Sequence, residues 1–200
     1  MRWSARSSGV IFLLASVAAV AADGTSSSPI ELTYSPWTKF CQDAAGKQVC
    51  FTGTDGRTES GQPVIAAVIM EPDGEPKKIL RVTLPLGMQL VHGTRVIVDN
   101  NPPQGNPYVT CSITGCISDY ELTAELLANL KKGQNLIVQA INSNGAPLTL
   151  PLPLAEFAKA YDGPPMDPSV WERHREELEN KARKPVLDDT LAPRYRPQPR

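Results

Sequence analysis

Residues 37–53 read WTKFCQDAAGKQVCFTG. Two β-rich runs, Trp37–Gln42 and Gln48–Gly53, flank a polar centre whose Asp43 and Gly46 mark a hairpin turn. The turn sets Cys41 and Cys50 at facing positions on adjacent strands, where Cβ atoms come within about 4.5–5.5 Å and a disulfide needs only small adjustments. A second pair, Cys111 and Cys116, flanks Ser112-Ile113-Thr114-Gly115, a four-residue turn with glycine at its end. Four cysteines allow three connectivities, and hairpin geometry favours the two local ones. The rival reading is a four-cysteine zinc site, but structural zinc prefers Cys-x2–4-Cys knuckles and only the second pair approaches that spacing. No metal or other cofactor is therefore expected. A Cys-x-x-Cys motif is absent, which argues against thiol redox catalysis. Each bridge is expected to contribute about 2–3 kcal/mol through loop entropy.

Disulfides need an oxidising compartment, and the N-terminus agrees. Arg2 and Arg6 precede an apolar run from Val10 to Val20, followed by small residues suited to a signal peptidase, so residues 1–22 read as a secretory signal. The alternative, a retained anchor, needs roughly 20 apolar residues, and this run falls short. No transmembrane segment is expected after cleavage. Cleavage removes two of the 20 basic residues and leaves all 21 acidic ones, for a net charge near −3. Nucleic-acid binding, which needs a basic face to replace phosphate counterions, is not supported.

Four parts follow from composition. Residues 23–33 read as a flexible lead-in. Residues 34–163 read as one mainly β domain, an antiparallel sandwich with strands also near 64–71, 79–84, 95–99, 108–112, 116–122, 136–142 and 147–152. Two short helices interrupt it. The first carries Leu122, Leu126, Leu127 and Leu130 and ends at Lys131-Lys132-Gly133; the second spans Leu154–Tyr161. Pro151 and Pro153 lack backbone donors and place their strand on an edge. Residues 164–200 form a charged, then proline-rich tail in which Asp167-Pro168 caps a helix to about Lys184 and the last stretch is disordered alone. The apolar side of that helix is thin, with Trp171 and Leu178 beside His174. Such a helix is either a solvated arm or a partner-docking element, and these three residues are the candidate contacts.

Catalytic chemistry finds little footing. His92 and His174 are the two histidines, and no Gly-x-Ser-x-Gly elbow or phosphate-cradling loop occurs. His92, within Val91-His92-Gly93, reads as a turn between strands. Asp99-Asn100-Asn101-Pro102-Pro103 offers oxygen donors for calcium, yet Asp and Asn before proline are ordinary loop chemistry. Asp119 and Glu121 alternate along a strand as its solvent face.

Several segments in fixed order carry a resemblance. They are Trp37–Cys41 and Gln48–Cys50; Leu84-Pro85-Leu86-Gly87, Gly93 and Val96–Asp99; Pro107–Cys111 and Gly115-Cys116; Leu127–Gly133; and Leu150–Leu154 with Phe157, Ala160 and Tyr161. Together they resemble the invasion-associated locus B family, secreted proteins of alphaproteobacteria. The resemblance implies a β-sandwich-like domain exported to the periplasm or outer surface, and in founding members an association with entry into red blood cells. It carries over no catalytic residues. Two positions depart from it: Asn100 and Asn101 follow the aspartate where glycine is expected, and Glu156 precedes Phe157 where glycine is expected.

The expected function is thus a non-enzymatic, exported interaction module of the periplasm, associated with a membrane or the cell surface. It would serve as an accessory subunit docking protein partners of the envelope or of a membrane complex through its tail. The alternatives are a surface-exposed host-interaction factor for invasion or adhesion and, further off, an envelope enzyme built on His92 and nearby carboxylates.

Overall fold

A computed structural model describes residues 31–44 and 46–183 of the chain. The signal reading and the end of the tail lie outside these residues. The chain runs through β1 (Thr33–Tyr34), β2 (Thr38–Ala44), β3 (Lys47–Arg57), β4 (Pro63–Pro72), β5 (Ile79–Leu84), β6 (Thr94–Val98), β7 (Gln104–Asn106), β8 (Tyr108–Ser112) and β9 (Gly115–Glu121). It continues through α1 (Ala124–Lys132), β10 (Asn135–Ile141), β11 (Pro147–Pro153), α2 (Phe157–Asp162) and α3 (Pro168–Arg183). The strands make two antiparallel sheets. The larger has the order β1-β3-β4-β5-β9-β8 with β2 also on β3, and the smaller has the order β11-β10-β6-β7.

β1 and β2 share one edge of β3, pairing with its C-terminal and N-terminal parts respectively. The break between them falls at Pro36, which has no donor to offer a ladder. Beside it the Ser35 hydroxyl donates to Asp55 at 2.5 Å and the Thr54 hydroxyl donates to the Ser35 carbonyl at 2.5 Å, so the kink is bonded on both sides. Thr33 pairs with Arg57 and Leu32 packs against the core, so the fold reaches back into the end of the expected lead-in.

Period-two alternation then decides what is inside. Ile65, Ala67 and Ile69 of β4 and Leu80, Val82 and Leu84 of β5 face Val96, Val98, Leu136, Val138, Leu150 and Leu152 of the smaller sheet, and all are buried. Leu126 and Leu130 of α1 and Phe157 and Tyr161 of α2 close one flank of this core. Trp37 turns inward at the kink; its indole N–H donates to the Pro153 carbonyl at 2.8 Å and ties the two sheets together.

Both disulfides form as the hairpins predict: Cys41 pairs in register with Cys50 across β2–β3, and Cys111 with Cys116 across β8–β9, each with Cα atoms 4.0 Å apart. β11 is an edge strand, as its prolines require. α2 starts later than expected, at Phe157, because the Leu154 amide donates to the Gln134 carbonyl at 2.8 Å and keeps Leu154 outside the helix.

Among the described residues two that are not glycine hold positive φ, Asp99 at 50° and Glu156 at 62°, at or next to the places where glycine was expected. Asp99 has a compensation, since its carboxylate accepts from the Gln134 and Asn135 amides at 2.8–3.1 Å. That bonding gives the aspartate a structural task in place of the calcium reading considered above. Glu156 has only an exposed ion pair with Lys159 at 2.9 Å. A left-handed residue with a Cβ carries about 1–2 kcal/mol of steric cost, and an exposed ion pair offsets little of it. Glu156→Gly should therefore raise stability by about 0.5–1 kcal/mol once glycine's larger unfolded-state entropy is counted. Urea unfolding would measure it, and an unchanged or lower midpoint would refute it.

Candidate functional site

The tail leaves the domain at a charged corner assembled from five elements. Tyr161 stands on the last turn of α2, its ring buried and tilted against Phe157, with centroids 5.7 Å apart. Its hydroxyl donates to Glu71 Oε1 at 2.6 Å at the end of β4, and Lys78, just before β5, donates to the same oxygen at 2.6 Å and to the phenol oxygen at 3.1 Å. Lys39 of β2 donates to the Tyr161 carbonyl at 2.9 Å and to the Gly163 carbonyl at 3.4 Å. Lys131 of α1 lies 4.8 Å from the ring centroid and pairs with Asp162 at 2.7 Å. Three ammonium groups thus surround one phenol, where cation–π attraction adds to the hydrogen bonds.

The corner works as a latch for the chain that follows. Lys39 ties down the carbonyls at the end of α2, and the Met166 amide donates to the Lys39 carbonyl at 2.6 Å, so the segment after Gly163 runs along the edge of β2. Asp167 then caps α3, its carboxylate accepting from the Ser169 amide at 2.8 Å and from the Ser169 hydroxyl at 2.6 Å. These bonds hold the Asp167 carboxyl below its ordinary range. The Asp-Pro start read from the sequence is thus the observed start of α3. Trp171, His174 and Leu178 fall on α3; the positions of their side chains lie outside the described residues. α3 itself contacts β2.

Burial, followed by the hydrogen bond to Glu71, raises the Tyr161 phenol above its ordinary value of 10.0. Burial likewise raises Tyr34 and Tyr120 and pushes Tyr108 up to about 12. Below pH 10 these phenols are neutral in both states and contribute no pH dependence. Above it the unfolded chain loses its phenolic protons first, the folded state binds more protons, and stability falls as pH rises. Lys78, raised chiefly by its hydrogen bond to Glu71, acts in the same direction. The urea midpoint should fall as pH rises from about 10 toward about 12, and Tyr161→Phe should flatten that fall. A flat profile for the parent protein would contradict this.

His92 sits in a turn of 3-10 helix, Leu90–His92, between β5 and β6. It lines a cleft of about 460 Å³ with Gln89, Arg95, Gln139, Ile141 and Thr149, and no carboxylate faces it. The carboxylates that an enzymatic reading would need beside His92 are thus elsewhere. Asp119 is engaged on the outer face of the larger sheet, where Arg81, its register partner, donates to both carboxylate oxygens at 2.7 Å. Among the described residues no group of three or more His, Cys, Asp or Glu could hold a metal ion. No helix among them is long and apolar enough to cross a membrane.

Sequence reasoning found the cysteine pairs and the Asp167 cap, and it missed the latch. Lys39, Lys131 and Tyr161 stood in the segments that carried the resemblance, but Glu71 and Lys78 stood in none, and nothing in their spacing brings them together.

Comparison with known proteins agrees with this architecture. The family model described as Invasion associated locus B (IalB) protein matches residues 37–165. Two Invasion protein B homologs of Brucella abortus, from strain 2308 and from biovar 1 strain 9-941, are each 26% identical over 164 residues, covering 78% of this chain and 94% of the relative. The crystal structure of invasion associated protein b from Bartonella henselae matches with a TM-score of 0.59 at 22% identity, covering 72% of this chain and 96% of that one, a likeness of fold. The curated relatives bear the name of invasion proteins and not of enzymes. The match spans well over half of the chain and takes in both disulfides, the core and the charged corner around Tyr161: this protein belongs to the invasion associated locus B family.

Proposed function

We propose that the protein is an exported, non-enzymatic interaction module of the periplasm whose stapled β-domain presents its C-terminal helix to a protein partner, as an accessory subunit of a larger envelope or membrane complex. One observation carries the reading: the chain leaves the family-matched region through a fixed exit, with Met166 bonded to Lys39, and continues directly into a capped helix that the match does not include. A helix launched from a rigid exit costs less entropy to dock than a free tail. Trp171 and Leu178 supply its apolar anchors, with His174 beside them. Export rests on the N-terminal signal reading, and two disulfides within one small domain suit an oxidising compartment.

The test is capture from envelope extracts with the full mature chain, with a chain lacking residues 164–200, and with a Trp171→Ala/Leu178→Ala variant. Recovery of one defined complex by the first and its loss from the other two is expected. Equal recovery by all three would refute the role of the tail.

The names of the Brucella relatives favour a second reading, a surface factor acting in host-cell invasion. Protease treatment of intact cells separates the two: a periplasmic module is spared, and a surface factor is cut.

A further inference from the structure

Beyond any partner of the tail, the opposite end of the β-domain carries features of a second binding surface. Of the six large hydrophobic side chains that stand exposed among the described residues, five fall between positions 86 and 113: Leu86, Leu90, Val91, Val109 and Ile113. Val91 is 87% and Ile113 is 95% exposed, so both project from their loops with almost nothing packed on them. The strand register brings these loops to one end. Leu84 at the close of β5 pairs with Cys116 at the opening of β9, so the segment carrying Leu86 and the turn carrying Ile113 leave the larger sheet together. The Ser143 amide donates to the Gly87 carbonyl at 2.7 Å and the Gln89 amide to the Ile141 carbonyl at 2.8 Å, which joins the β10–β11 turn to the same end. Val91 lines a cleft of about 260 Å³ with Pro107, which brings in the β7–β8 connection.

Charge in these loops is one-sided, and the nearest acid by register is Glu59 in the neighbouring β3–β4 turn. Residues 84–98, 102–118 and 140–155 contain no aspartate or glutamate, and their only basic or titratable cation-forming side chains are His92 and Arg95. Arg95 is exposed and forms no ion pair among the described residues. It lies in a register row across the outer face of the smaller sheet, Gly105–Arg95–Gln139–Thr149, whose last three residues with Gln89 and His92 wall the 460 Å³ cleft behind the tips. Donors without a competing carboxylate suit an anionic oxygen group.

We infer that this end docks on an anionic phospholipid bilayer, with the Leu90–Val91 and Ile113 tips entering the interface and the Arg95 cleft receiving a lipid phosphate. Separate protruding aliphatics on loops suit the soft boundary between headgroups and acyl chains, where exposed apolar area and basic charge act together. A protein pocket would instead call for a contiguous patch. The absence of acidic residues from these loops lessens the repulsion that an anionic leaflet would otherwise exert.

The test is flotation of the purified mature chain with vesicles of phosphatidylcholine alone and of phosphatidylcholine mixed with phosphatidylglycerol. Binding should favour the anionic vesicles by about tenfold or more. Val91→Glu/Ile113→Glu should abolish that preference, Arg95→Gln should weaken it about fivefold, and Val170→Glu, a change at the exposed aliphatic of α3, should leave it unaltered. All three variants change exposed side chains, and unchanged thermal midpoints will show that they fold. Absence of binding to either vesicle, or equal binding by the parent and the glutamate variant, overturns the inference. So does binding of inorganic phosphate that depends on Arg95 when vesicle binding does not, since the cleft would then serve a free anion. A dimer in sedimentation that the glutamate pair dissolves would assign the tips to self-association and overturn it as well.

Discussion

Phe157→Ala is expected to destabilise the protein by about 3–5 kcal/mol, enough to leave the domain marginal at ambient temperature. Phe157 is fully buried at the first position of α2, meets Trp37 edge-on with centroids 4.8 Å apart, and continues to Tyr161. Truncation leaves a cavity beneath the residue that ties the sheets, because Trp37 holds the Pro153 carbonyl through its indole and cannot collapse into the void without breaking that bond. The cost also reaches the exit of the tail, since the first turn of α2 positions Tyr161. Urea unfolding reads the first effect, and protease cleavage near Gly163 reads the second. A loss below about 1 kcal/mol would mean that the aromatic pair is not the keystone of this flank.

Gly93→Ala should be nearly as damaging, by about 3 kcal/mol or more. Gly93 ends the short turn after β5 with φ 63° and ψ −156°, a region that is essentially glycine's alone and costs other residues about 1–3 kcal/mol. A Cβ there would also stand 2.4 Å from the Asn106 carbonyl oxygen, a backbone atom that cannot swing away. That carbonyl belongs to the corner where the chain passes from β7 in the smaller sheet to β8 in the larger. There Asn106 donates to the Asp119 carbonyl at 2.5 Å and Ser118 donates to the Pro107 carbonyl at 2.8 Å. Strain at Gly93 is therefore transmitted to both sheets. The expected result is a large drop in the urea midpoint with unchanged slope; a shift within error would show that the corner yields.

How much of this was legible in the sequence depended on whether the deciding interaction was local. Strands β5 and β8 were read to the residue, because Pro85 and the Gly115 turn punctuate them from nearby. The disulfides were legible for the same reason: each closes a hairpin whose turn chemistry lies between its own cysteines. β7 was not legible. Gln104-Gly105-Asn106 has no β-forming side chain, and it is a strand only because β6 offers it an unpaired edge. The first helix was expected from Leu122 and begins at Ala124, because Thr123 spends its side chain capping the Leu126 amide and stays extended. The candidate site was half readable. Asp167-Pro168 announced the helix, whereas the latch joins residues as far apart as Lys39 and Gly163, and only the folded sheet order brings them together.

Glu156 shows the opposite case, in which a departure from the family pattern marked the geometry, whereas Asn100 and Asn101, the other departure, hold no positive φ. Glu156 occupies a left-handed conformation where glycine was expected, and Asp99, immediately before the other departure, is left-handed too. The left-handed backbone is compensated at Asp99 by three amide hydrogen bonds and at Glu156 by an exposed ion pair alone.

The long strand β3 gives the molecule a length scale. Its 11 residues, at about 3.3 Å each, make a rod of roughly 35 Å from the disulfide-stapled turn at Lys47 to Arg57. The exit of the tail lies toward the first end and the acid-free loops toward the second. A load held by α3 and a surface met by the loops would be kept apart by the whole height of the sheet, so the domain would serve as a stand-off, and changing its strand lengths would reset the gap without touching either contact.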